Sequence, residues 1–141
     1  MSIIWNRDSL LNLVVRRLLR NEAIRSFYGV NEAEVLADAN KQQILFNRVF
    51  PPKVDLGARR PSTFVWMLLR TQDGTEHNAP RELIHLLSAA RDVQRRRLQE
   101  GQKEPPGEAL FDRGSIRDAL PEVSRERLEQ TLYAEYPHLR H

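Results

Sequence analysis

The chain has 141 residues, enough for one compact domain or a modest helical core with a small appendage, and too few for a full nucleotide-binding domain with accessories. It has no cysteine, which excludes disulfides, thiolate metal sites and a cysteine nucleophile. Twenty-two basic residues face 19 acidic ones for a net charge of +3, and all the basic residues but Lys41, Lys53 and Lys103 are arginine. That balance does not by itself establish nucleic-acid binding, because arginine bias also follows from a GC-rich genome.

In chain order, the first predicted element is a helix over about 7–26. Asn6 is placed to cap it, Trp5 to staple onto Leu10, and Leu10, Leu11, Val14, Val15, Leu18 and Leu19 recur at helical spacing. Gly29 marks its end. "NEAE" at 31–34 predicts a second, shorter helix capped by Asn31, with Glu34 in the capping-box position. A third helix ends at Pro51-Pro52, with Ile44, Leu45, Val49 and Phe50 as its apolar face.

"PPKVDLGARRP" reads as a loop, after which Ser62 is placed to cap "TFVWMLLRT", a segment apolar nearly all round and expected to be deeply buried. "QDGTEHN" is a turn, and Pro80 suits the first turn of the next helix because its missing N–H would have had no partner. Leu83, Ile84, Leu86, Leu87, Ala90 and Val93 form that helix's inward stripe, whereas Arg91, Arg95, Arg96 and Arg97 read as a solvated face.

"GQKEPPGEA" at 101–109 has a linker's composition. Beyond it Asp112 can cap a short helix holding Ile116 and Leu120, Pro121 breaks it, and Ser124 opens a last helix with Leu128, Leu132 and Tyr136. With no strand period or hairpin signal, the fold class expected is all-α. A lid-like helical bundle (1–100) leads through a linker (101–109) to a small C-terminal helical hairpin resembling a helix-turn-helix (110–141).

Arg81 sits where the helix macrodipole disfavours a cation by roughly 0.3–1 kcal/mol unless something answers its charge. Two roles fit: a surface arginine paired with Glu82 or Glu76, or a guanidinium fork reaching across a cleft to an anion. No glycine is followed by the Lys-Ser or Lys-Thr of a P-loop, and no apolar run ends in paired acids that would hold a metal, so nucleotide hydrolysis by this chain alone is not expected. His138 and His141 lie three apart without a third ligand, His77 and His85 fall on a turn and a helix, and no metal site is expected. The final hairpin, with Arg125 and Arg127 on its second helix, also has the outline of a DNA-reading unit. The longest apolar runs, "LLNLVV" and "FVWMLL", are far short of a membrane span. The start, "MSIIWNRDSL", lacks the pattern of a secretory signal, so a cytoplasmic location of bacterial type is expected, with no membrane partner.

"IIWNRDSLLNLVVRRLL", "RRPSTFVWMLLRTQDG", "NAPRELIHLLSAARDVQ" and "IRDALPEVSRERLEQTLYAEYPHL" resemble, in that order, the region that follows the nucleotide-binding core in a family of bacterial P-loop ATPases of unknown role. That family is distantly similar to AAA-type and STAND-type NTPases. "APRELIHLLSAAR" and the aromatic and leucine spacing of the last helix carry the resemblance best, and 31–58 only loosely. The resemblance implies that residues 1–100 correspond to the helical lid over the nucleotide and that Arg81 stands at the place of the lid arginine that contacts the terminal phosphate. It further implies a non-catalytic sensing or interaction module without a cofactor of its own, since the P-loop part is missing. ATP and magnesium would come with a P-loop domain on another chain or on a removed portion of the same one. The other expectations are a small DNA-binding regulator using Arg125 and Arg127, and a helical self-assembly protein with apolar surface exposed around Trp66 or Trp5.

Overall fold

The computed structural model describes residues 6–71 and 79–120, which form seven α-helices and no strand, as the helical periodicity predicts. They are α1 (Arg7–Leu19), α2 (Glu22–Tyr28), α3 (Glu32–Leu36), α4 (Ala39–Val49), α5 (Thr63–Thr71), α6 (Ala79–Gln99) and α7 (Arg113–Asp118). None of the helices among the described residues is long and apolar enough to cross a membrane.

Asn6 caps α1 as expected: its Oδ1 accepts from the Ser9 N–H at 2.9 Å, and the Ser9 hydroxyl oxygen accepts from the Asn6 N–H at 2.9 Å. Two of the helix's orphan donors are thereby satisfied reciprocally. The single helix predicted over 7–26 is in fact two. Asn21 adopts extended backbone, and its side chain accepts from the N–H groups of Ala23 (2.8 Å) and Ile24 (3.3 Å), so a new helix starts where α1 would have continued. Gly29 then stops α2 in the left-handed conformation (φ 64°), and the Val30 N–H turns back to the Arg25 carbonyl.

Asn31 caps α3 by accepting from the Glu34 N–H at 3.1 Å. The helix α4 stops at Phe50, whose backbone is extended because Pro51 follows. Its buried face is Gln42, Leu45, Phe46 and Val49, so Ile44 is 52% exposed rather than part of the expected apolar face, and Phe46 takes the interior position. At α5 the entry is fixed by Thr63 more than by Ser62. The Thr63 hydroxyl donates to the Pro51 carbonyl and its N–H to that of Pro52, while Ser62 supplies the carbonyl that accepts from the Trp66 N–H. Phe64, Trp66 and Met67 are buried, but Leu69 on the far side is 52% exposed.

Leu83, Leu86, Leu87, Ala90 and Val93 line the inward side of α6 as expected. One apolar cluster runs from Leu10 through Leu83, Leu86, Leu87 and Ala90 to Phe111, Ile116 and Ala119. An aromatic seam threads it: Phe64 meets Phe46 edge-on at 5.2 Å, Phe46 stacks with Phe50 at 4.4 Å, and Phe50 stacks with Phe111 at 4.8 Å. The segment with a linker's composition turns at Gly101 (φ 94°) and comes back over α4, where the Leu110 N–H donates to the Val49 carbonyl at 2.9 Å. Asp112 caps α7 by accepting from the Ser115 N–H at 2.7 Å. The expected Trp5 staple, the 72–78 turn and everything from Pro121 on, including the Ser124 cap and the last helix, lie outside the described residues.

Candidate functional sites

Arg81 follows Pro80 in the first turn of α6, and its side chain is exposed. No described residue offers it an ion pair. Glu82, the nearest candidate in sequence, is buried at 6% exposure and has its own interaction, so these neighbours part to opposite environments. Glu76, the other acid considered, lies outside the described residues. What Arg81 presents is therefore an exposed guanidinium fork at the positive end of a 21-residue helix.

The arginine run on α6 divides. Arg91, Arg95 and Arg96 are exposed as expected of a solvated face, but Arg97 is turned onto α7. Its Nη1 lies 3.4 Å from Asp112 Oδ1 and 3.5 Å from Ser115 Oγ, and its Nη2 is bonded to the Asp118 carboxylate. One turn earlier the buried Gln94 Oε1 accepts from the Asp112 N–H (3.0 Å) and the Ser115 hydroxyl (2.7 Å). Gln94 and Arg97 thus fasten α7 to α6 through groups that an apolar surface could not satisfy. Gly114 makes the approach possible, since a Cβ there would stand 2.8 Å from Arg97 Nη1.

A second polar cluster holds the returning segment on α4. Arg48 donates to both carboxylate oxygens of Glu108 (2.8 and 3.1 Å) and to the Tyr28 carbonyl (3.1 Å), with its guanidinium 5.1 Å from the Tyr28 ring centre. The Tyr28 hydroxyl donates to the Glu108 backbone carbonyl at 2.6 Å. Burial, then the nearby Glu108 charge, push the Tyr28 phenol up to about 12, against a smaller opposing effect of Arg48. The hydrogen bond from Arg48 holds the Glu108 carboxyl below its usual range, and the same bond raises Arg48 further.

Beside this clamp, between the end of α4 and residues 105–113, runs a groove of about 690 Å³. It was not foreseen from the sequence, because its two walls lie some sixty positions apart. Of the other residues considered, Arg125, Arg127, His77, His138, His141 and Trp5 lie outside the described residues. His85 is half-buried on α6. No three metal-capable side chains come together among the described residues. Trp66 itself is only 2% exposed and donates its indole N–H to Asp55 at 3.1 Å, while Leu69 three positions on is 52% exposed. No protein-family profile, no curated protein and no solved structure matches the chain. The fold and these clusters define a small all-α bundle with an exposed arginine at one helix entrance and an apolar groove elsewhere.

Proposed function

We propose that the chain is a non-catalytic helical sensing module, the counterpart of the lid and helical tail of a P-loop ATPase, in which Arg81 meets a phosphate held by a different polypeptide or by another portion of the same one. The observation that carries the reading is the exposed setting of Arg81, with no ion pair to any described residue, at a helix entrance where an anion would be favoured and a cation is not. An arginine answering a local carboxylate would have supported a purely structural role. ATP and magnesium belong to the partner in this reading, and the chain contributes a charge-assisted donor that reports the state of the terminal phosphate as helix movement.

The test is the product of a P-loop reading frame adjoining this gene, purified with the chain. ATP hydrolysis by the pair is expected to fall roughly 100-fold with Arg81→Ala, the scale of losing one well-placed donor at a transferring phosphoryl group. Turnover by the chain alone that Arg81→Ala abolishes would overturn the proposal, as would a pair whose hydrolysis ignores that substitution.

A further inference from the structure

The groove beside α4 carries an inference that does not depend on Arg81. Its apolar lining comes from Phe50 and Phe111, from Ile44 at one end, and from two proline pairs, Pro51-Pro52 and Pro105-Pro106. At about 690 Å³ it falls within the size range of sites for small organic ligands. Both walls are held before any ligand arrives. Thr63 binds the carbonyls of Pro51 and Pro52, the Leu110 N–H binds Val49, and the Arg48 fork grips Glu108. A ligand entering such a site has little backbone ordering left to drive, which is the chief saving that preorganisation offers.

The charges around the groove select the occupant. Arg48 and Glu108 neutralise one another, and Asp112 and Asp118 together are answered by Arg97 and Arg117. Arg113 is exposed, makes one long contact to the Val54 carbonyl (3.5 Å), and has no carboxylate partner among the described residues. After internal pairing, the apolar trough has one unbalanced positive charge on its rim.

We infer that the groove binds an amphiphilic monoanion, an acyl or aryl body with a single carboxylate head. The body lies along the prolines and Ile44, where burial of its carbons drives association, and the head meets the Arg113 guanidinium. A neutral ligand of the same shape gains only the first of these, and a dianion leaves one charge unanswered.

Octanoate and octanol serve as probes on the full ¹⁵N-labelled chain at neutral pH, followed through its amide resonances. Saturable shifts centred on Asn47, Ala109 and Arg113 are expected with both, and tighter binding of octanoate. Arg113→Gln should weaken octanoate by about fivefold, the upper end for one exposed charge pair, and leave octanol unchanged. Ile44→Ser, at an exposed position that leaves the core intact, should weaken both alike. Absence of saturable shifts, shifts scattered away from the groove, or equal responses of octanoate and octanol to Arg113→Gln would each overturn the proposal.

Discussion

Ile116 is fully buried in α7, and truncating it asks whether this helix belongs to the main core or merely leans on it. Ile116→Ala removes three carbons. At about 0.8 kcal/mol per buried methylene the transfer loss is about 2.4 kcal/mol. Left unfilled, a space of roughly 80 Å³ would add about 2 kcal/mol at 24 cal/mol per Å³, and partial collapse of α7 onto α6 reduces that, giving about 2.5–4 kcal/mol in all. For a chain of this length such a loss lowers the melting temperature by roughly 10 °C. Urea unfolding followed by far-ultraviolet circular dichroism and by Trp66 fluorescence, in a Trp5→Phe background, is the assay. Because Ile116 and Trp66 share one apolar cluster, both signals should shift together by the full amount. A fluorescence transition that stays in place while the dichroism changes would refute the single cooperative core.

Three further outcomes are expected. Gly114→Ala gains helix propensity of roughly 0.5–1 kcal/mol but crowds Arg97 Nη1, so in a double-mutant cycle its benefit should be larger in an Arg97→Met background than in the native one. Tyr28 should ionise near 12 in an ultraviolet pH titration of the folded chain. Its folded pKa lies above the unfolded value, so the stability it contributes is fully present below pH 10 and is lost as the pH rises from there through 12. Asn21→Ala should cost about 1 kcal/mol, measured by denaturant titration, because it strips the cap that opens α2.

The sequence made most of the helices legible, since periodicity and capping chemistry are local. Asn6, Asn31, Gly29 and Asp112 all do what their residue types favour at helix ends. The failures share one cause. Asn21 has the residue type of a cap, but the apolar spacing across it reads as continuous, so local hydrogen bonding and periodicity point to different structures and the former wins. Ile44 and Phe46 both look like interior residues, and only the direction from which α1 and α3 cover α4 decides between them. Arg97 continues the inward stripe of Leu86, Ala90 and Val93, a signal in the spacing that its charge conceals, because α7 had to supply Asp112 and Asp118 before a cation could turn inward. Arg81 was visible as a misplaced charge, whereas the groove could not be read from spacing, since Pro51 and Pro105 become neighbours only after the chain doubles back.

That doubling back sets a schedule for biosynthesis. The last carbonyl of α4 waits for the amide of Leu110, and the ring of Phe50 waits for that of Phe111, so a ribosome releases the first half of this molecule with its aromatic interior still wet. Closure becomes feasible only once α7 has left the exit tunnel. A nascent chain of which only the part up to the 101–109 stretch has emerged would display Phe50 and its neighbours to chaperones, and one whose residues up to 119 have emerged would hide them.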